Sequence, residues 1–447
     1  MPKITMIGAG STVFMKNLIG DMLLKPALAG AEVVLQDIDD ERLAQSTLVA
    51  KKLIASLGVP ARLVSTTHQR EAVRGADYVI VAFQIGGYRP CTVTDFAIPK
   101  RYGLNQTIAD TLGIGGIFRG LRTVPRLLAL ARDMAELAPG ALLLNYVNPM
   151  AINTRALTRL VPEVRQVGLC HSVQNTLAEL CADLEINPAS VRYRVAGINH
   201  LAFFLNLEGR QGDDWVDLYP RLRQVWQSGR APRPGWNPRC ENHVRYHFFD
   251  KVGYFPTESS EHFAEYVPWY IKPGRDDLIE RFRIPLDEYP KRCEEQIAAW
   301  TNQYRELQQA ERIDHEASNE YAATIINAEV TGESACIYGN VANHGLIENL
   351  PAGCAVEVPC LVDANGVQPT AIGRLPPQLA AVMQSNVTVQ ELVVEAIALE
   401  DRRLIYHAAM MDPQCAVHLD LDQIYALVDE LIEAHGEWLP AWCRDGK

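Results

Sequence analysis

The sequence predicts an α/β protein: an N-terminal doubly wound parallel sheet followed by a C-terminal α+β part, a mixed sheet plus helices. Three observations predict it. Short β-branched runs alternate with amphipathic stretches through the first 190 residues, the pattern of strand–helix–strand crossovers. A glycine pair stands between the first strand and the first helix. After about residue 190 the alternation gives way to paired strand pieces and then long helical stretches.

In chain order, "KITMI" (3–7), "AEVVLQ" (31–36), "DYVIVAF" (77–83), "ALLLNYV" (141–147) and "VRQVGL" (164–169) read as buried strands, with "ARLVS" (61–65) as a further one. Between them, "VFMKNLIGDMLL", "ERLAQSTLVAKKLIASL" and "GLRTVPRLLALARDMAEL" carry apolar residues at helical spacing. Parallel pairing with right-handed crossovers follows. Beyond residue 190, "RYRVAGINHLAFFLNLE" reads as two strand pieces around a polar turn. A stretch rich in Pro, Trp and Arg (227–243) reads as a surface excursion. Residues 276–330 are expected to be mostly helical, 335–369 to hold short strands separated by turns, and the tail from 376 to be helical. The division expected is therefore 1–190 and 191–447.

Composition narrows the function classes. The 447 residues are 48 % hydrophobic and 21 % charged, which is ordinary for a globular protein. The net charge of −12, with no basic block, argues against nucleic acid or an anionic membrane as partner. No apolar run reaches the length of a membrane span. The start "MPKITMIGAGSTVF" lacks a basic region followed by a cleavage site, so a cytoplasmic protein is expected. The ten cysteines include no C-x-x-C pair, and in a reducing compartment most such thiols are small buried apolar groups.

Within "ITMIGAGS", Gly8 allows a tight turn and Gly10 lets backbone approach a pyrophosphate. A helix beginning near Ser11 would aim free N–H groups at the phosphate charge. Val13 replaces the third glycine of the fingerprint. In "VVLQDID", Asp37 ends the second strand, where a carboxylate can accept both ribose hydroxyls of NAD and would repel the 2′-phosphate of NADP. Asp39 stands ready to assist. The plainer reading of Asp37 is a cap for the following helix. Strand, glycine turn, helix, strand and acid in this order favour a Rossmann-like, NAD-binding domain.

Cys170 and His171 close the strand "VRQVGL", and Asn148 in "NYVNPM" closes another, so all three fall at carboxyl strand ends, where open α/β sheets bind ligands. His200 follows in "AGINHLAF". Each has a second reading: Cys170 as a buried thiol, His200 as a core imidazole, Asn148 as a turn former. A thiolate and an imidazole can instead hold a divalent metal and leave positions open for substrate oxygens. On chemistry alone the two readings stand level. A metal beside nicotinamide has a specific use. Hydride removal from a sugar carbon acidifies the neighbouring C–H, and a Lewis acid stabilises the charge that develops when that proton leaves.

"KITMIGAGS", "VAFQIGGY", "YVNPM", "GLCHSV", "AGINH" and "IENLPAGCAVEVPCLVDANGVQP", in this order, resemble glycoside hydrolase family 4 over essentially the whole chain. The tetrapeptide C-H-S-V (170–173), with "TESSEHFAEY" and "LDEYPKR", is similar to the α-galactosidase, or melibiase, subgroup. Family 4 enzymes are a known NAD-dependent exception to two-carboxylate hydrolysis. The resemblance implies a cycle without net redox: oxidation at C3 by tightly held NAD⁺, removal of the C2 proton, elimination of the aglycone, addition of water and return of the hydride. It implies a divalent metal, usually Mn²⁺, held by Cys170 and His200, with Asn148 contacting substrate nearby. His171 takes the place of the acid that protonates the leaving group, and its alternative is a hydrogen bond to substrate or to the metal's surroundings.

For the C2 base the resemblance leaves a gap, since Ser259 stands where subgroups acting on phosphorylated sugars carry a tyrosine. Glu258 is the nearest better base, with Tyr254 behind it. Asp110, in "TIADTLG", falls where the family has an acidic residue near the substrate. Ile114 replaces a proline common in the family, without expected effect on the chemistry. The C-terminal part is expected to serve substrate binding and oligomerisation, as a homodimer or homotetramer.

Three rivals remain. An α-glucosidase, uronidase or 6-phosphoglycosidase would share the motifs. A dehydrogenase of the lactate/malate type would share the first domain, but needs an arginine for the substrate carboxylate and a His/Asp relay, and no such arrangement stands out after residue 150. A non-catalytic NAD-binding sensor would need neither Cys170 nor His200.

Overall fold

The computed structural model describes residues 1–231 and 241–445. Six parallel strands form the first half: β1 Lys3–Ile7, β2 Glu32–Gln36, β3 Arg62–Thr66, β4 Tyr78–Val81, β5 Leu142–Asn145 and β6 Arg165–Leu169. Their spatial order is β3-β2-β1-β4-β5-β6, so the chain reverses direction across the sheet between β1 and β4. This is the Rossmann order, and its ligand crevice lies beyond the carboxyl strand ends at that reversal. β4 (YVIV) and β5 (LLLN) are buried along their whole length because helices cover both faces. The helices expected from apolar periodicity are found over Thr12–Leu23, Asp40–Leu57 and Gly113–Leu137. The last begins well before the periodic stretch from residue 120.

The second half adds β7 Val191–Ile198, β8 Leu201–Gln211, β9 Asp214–Asp217, β10 Phe255–Pro256, β11 Ala335–Ala342, β12 Ala355–Asp363 and β13 Gly366–Pro369. These strands do not close a sheet of their own. β11 runs antiparallel to β6 through the pairs Leu169–Gly339 and Gly168–Asn340, and the sheet continues through β12, β7 and β8 to β10. One mixed sheet thus spans both halves. β7 and β8 are the two strand pieces expected around a polar turn, and that turn is Asn199–His200. Helices Asp276–Phe282, Glu288–Gln309 and Ala322–Thr331 occupy the expected helical region, and helices from Pro377 onward form the tail. Of the Pro/Trp/Arg-rich stretch, 232–240 lie outside the described residues. No helix among the described residues is long and apolar enough to cross a membrane.

Candidate active site

The glycine turn after β1 is built from backbone close to backbone. Gly8 has φ +83°, and a Cβ there would lie 2.3 Å from the Ala82 carbonyl oxygen, so only glycine fits. Gly10 donates its N–H to Asp37 Oδ2 at 2.7 Å, which ties the turn to the end of β2. Asp37 Oδ1 accepts the Asp39 N–H. The capping role considered for Asp37 falls to Asp39, whose Oδ1 accepts the N–H groups of Glu41 and Arg42, both at 3.0 Å. Ser11 is exposed and makes no side-chain cap, so its side chain leaves the first N–H groups of helix Thr12–Leu23 uncapped. Val13 is 46 % exposed. A side chain pointing to solvent does not obstruct packing of helix on strand, which is the work of the missing third glycine.

Farther along the same edge, four sequence-predicted residues converge. Cys170 follows directly on β6 and is buried; its Sγ lies 3.4 Å from His200 Nε2. His200 reaches the crevice from the β7–β8 turn with φ +64°, a left-handed conformation that costs a non-glycine residue roughly 1 kcal/mol or more. Its Nδ1 is 3.3 Å from Tyr266 Oη. Glu258 Oε2 lies 3.3 Å from His200 Nε2. Cys170, His200 and Glu258 each offer a donor atom within 4.8 Å of the others, as do Asp110, His200 and His262. His200 belongs to both groups. Sulfur, nitrogen and oxygen donors together suit a first-row divalent ion, so the residues present fit a metal.

Electrostatics agree with that fit. Burial and the Glu258 carboxylate push the Cys170 thiol up to about 12, so it becomes a thiolate only beside a cation. Burial opposes ionisation of Glu258, but the charges of His200 and His262 and the Ser259 N–H outweigh it and hold the carboxyl at about 2. Asp110, likewise buried, is held below its ordinary value by Arg119, His262 and His200. Asn148 donates from Nδ2 to Asp110 Oδ2 at 3.1 Å, which joins the Asn-Pro turn after β5 to the acid.

His171 has a hydrogen-bond partner of its own. Its Nδ1 lies 3.2 Å from Glu320 Oε1, and its side chain keeps 45 % exposure. Burial works against the imidazolium, but the hydrogen bond to Glu320 and the nearby charges raise His171 to about 9.

Residues 3–186 match the family described as "Family 4 glycosyl hydrolase", and residues 195–415 match its C-terminal domain. An α-galactosidase of Bacillus subtilis (strain 168) is 44 % identical over 99 % of this chain and 100 % of its own length. The chain belongs to glycosyl hydrolase family 4. An α-galactosidase of Rhizobium meliloti (strain 1021) is 33 % identical over 99 % of this chain and 90 % of its own. Among solved structures, a 6-phospho-α-glucosidase from gut microorganisms, in complex with NAD and Mn²⁺, superposes with a TM-score of 0.82 at 21 % identity. It covers 98 % of this chain and 99 % of its own, and that likeness speaks for the fold.

Four residues of this family 4 enzyme's crevice escape sequence reasoning: His262, Tyr266, Arg119 and Glu320. His262 had a usable signal, because Glu258 and His262 are spaced i, i+4. Glu320 had none. It comes to His171 from the segment before helix Ala322–Thr331, far along the chain.

Proposed function

We propose that this glycosidase is an NAD- and divalent-metal-dependent α-galactosidase acting on small α-galactosides such as melibiose. The observation that carries the proposal is the buried convergence of Cys170, His200 and Glu258 in a chain 44 % identical, end to end, to an α-galactosidase. Gly8, Gly10 and the free helix start at Ser11 receive the dinucleotide phosphates, and Asp37 the ribose, with Asp39 fixing the helix beside it. Cys170 and His200 hold the metal, usually Mn²⁺ in this family, and Glu258 faces the same position. Asn148 and Asp110, joined by their hydrogen bond, orient the sugar hydroxyls. His171, kept protonated by Glu320, gives a proton to the departing aglycone oxygen. When bound, the dinucleotide accepts and returns a hydride, and the metal serves as Lewis acid for adjacent sugar oxygens. The free state of all nine described cysteines supports a reducing, cytoplasmic setting. We assign a homodimer or homotetramer, which sedimentation checks.

The test is a panel of aryl α-galactoside, α-glucoside, α-glucuronide and 6-phosphoglycoside with NAD⁺, Mn²⁺ and a thiol reductant. The α-galactoside should be cleaved fastest, without accumulating NADH, and chelation followed by dialysis should abolish turnover. NADH rising in step with turnover would indicate a dehydrogenase instead. Preference for another sugar would replace the substrate assignment. Full activity after chelation would remove the metal.

A further inference from the structure

Glu258, the nearest carboxylate to the expected base position, has both oxygens engaged. Oε1 accepts the Ser259 N–H at 2.9 Å and lies 3.7 Å from His262 Nδ1, while Oε2 faces His200 Nε2 at 3.3 Å. With both oxygens directed at these partners, Glu258 is poorly placed to take a proton from the sugar. The residue that follows it has a different partner. Ser259 Oγ and His262 Nδ1 are 2.7 Å apart, and both residues are buried in the crevice wall. The His262 ring meets the His200 ring edge-on, with centroids 5.1 Å apart, and His262 shares its donor cluster with Asp110 and His200. This puts a hydroxyl–imidazole pair beside the residues that orient the sugar. A serine hydroxyl alone is a poor base, but an imidazole within hydrogen-bond reach can take its proton as the hydroxyl oxygen engages another atom.

We propose that Ser259 and His262 act together in removing the C2 proton of the sugar, Ser259 touching the substrate and His262 acting through Ser259. The inference rests on the galactosidase reading above. In the step, with the C3 carbonyl already formed at the expense of the nicotinamide dinucleotide, the C2–H bond breaks and its electron pair becomes the C1=C2 bond. The C1–O bond to the aglycone breaks with its pair going to oxygen, which takes a proton from His171. The C2 proton passes to Ser259 Oγ as the serine proton passes to His262 Nδ1. Water addition and hydride return reverse the proton path, so the pair ends as it began. For this the neutral imidazole carries its proton on Nε2, and Nδ1 accepts from the hydroxyl.

The experiment uses the full chain with NAD⁺, Mn²⁺ and aryl α-galactoside in deuterated water, and compares wild type with Ser259→Ala, Ser259→Thr and His262→Ala. Three quantities are followed: deuterium entering C2 of the sugar, reduced nicotinamide formed in a single turnover, and Mn²⁺ affinity by paramagnetic resonance. The proposal expects Ser259→Ala to lose C2 labelling by roughly 100-fold or more while still reducing nicotinamide and binding Mn²⁺ as wild type does. Ser259→Thr, which keeps the hydroxyl, should restore labelling. In the cofactor-free chain, Ser259→Ala should also move the ¹⁵N resonance of His262 Nδ1, since its hydrogen bond is lost. C2 labelling in Ser259→Ala within about threefold of wild type would overturn the proposal. So would His262→Ala losing Mn²⁺ affinity and labelling in the same proportion, because that result makes His262 a metal ligand. If wild type itself neither reduces nicotinamide nor labels C2, the galactosidase reading fails first, and the pair's role with it.

Discussion

His171 and Glu320 show how much a residue's chemistry depends on a neighbour the local sequence does not contain. The strand-end pair Cys170–His171 is visible in the sequence, and so is its pairing with His200, because motif order and residue type carry that information. The partition between the two neighbours is not. Cys170 faces His200, whereas His171 faces Glu320 across 3.2 Å. Despite burial, Glu320 and nearby charges raise His171 to about 9, so in the proton-donor role proposed for it the residue would be active below that pH and fail above it. Glu320→Gln should bring the alkaline limb of the rate profile down toward the ordinary imidazole range, about 6.5. For stability the sign is the same: the contribution is full below about 6.5 and is lost as pH rises through about 9. Rate profiles of both proteins, with NMR titration of the His171 ring, check it, and an unmoved alkaline limb would separate His171 from the acid step.

Elements were legible where apolar periodicity writes them. All six parallel strands lie within or close to their expected runs, and the β7–β8 turn falls on Asn199–His200. The start of helix Gly113–Leu137 was not legible, because its first turn is Gly-Ile-Gly-Gly and glycine is a poor helix former. Tertiary contact demands those glycines. A Cβ at Gly115 would lie 2.4 Å from the Ala109 carbonyl oxygen, and one at Gly116 would lie 2.6 Å from the Thr111 carbonyl carbon. Helix and Asp110 loop can therefore meet only without side chains. That loop is fixed further by Glu265, whose carboxylate accepts the N–H groups of Thr107, Ile108 and Ala109.

The glycine turn after β1 allows a contrast between two substitutions. Gly8→Ala forces a Cβ against backbone at positive φ and should destabilise the chain by several kcal/mol as well as weaken dinucleotide binding. Gly10→Ala meets Asp37 Oδ2 at 2.7 Å and Arg42 Cβ at 3.0 Å, side-chain atoms both, at a position without positive φ. It should lower the denaturation midpoint much less than Gly8→Ala does, while NAD⁺ affinity falls by about tenfold or more, close to 1.4 kcal/mol. Denaturant unfolding and calorimetric titration with NAD⁺ measure the two effects separately.

At the scale of the whole molecule, the change of pattern near residue 190 marks a change of strand direction within one continuous sheet. β11 returns to cover the edge of β6, and helix Pro377–Leu399 packs on Met150–Leu160 and Gly113–Leu137, with Gly120 against Val393. A buried group of Asp95, Arg122 and His435 fastens the helix Leu421–His435 to the first half: Asp95 accepts from Arg122 at 2.5 Å and lies 2.8 Å from His435 Nε2. A fragment of residues 1–190 would expose the β6 edge and these apolar helix faces, and should aggregate, whereas the full chain should unfold in one transition. Size-exclusion chromatography and calorimetry test this. A monomeric fragment with its own cooperative unfolding would show that the first half stands alone.

By itself, the sequence determined the parallel sheet, the glycine turn with its acid, and the residue types at the strand ends. Those features depend on periodicity and on short-range spacing, which a single chain displays openly. Only the tertiary structure decided that the second half extends the first sheet, that His171 pairs with Glu320, and that Ser259 meets His262 instead of standing unaided. These depend on which strand edges and side chains meet after long returns of the chain. Such meetings are set by packing, and packing leaves no periodic mark in the sequence.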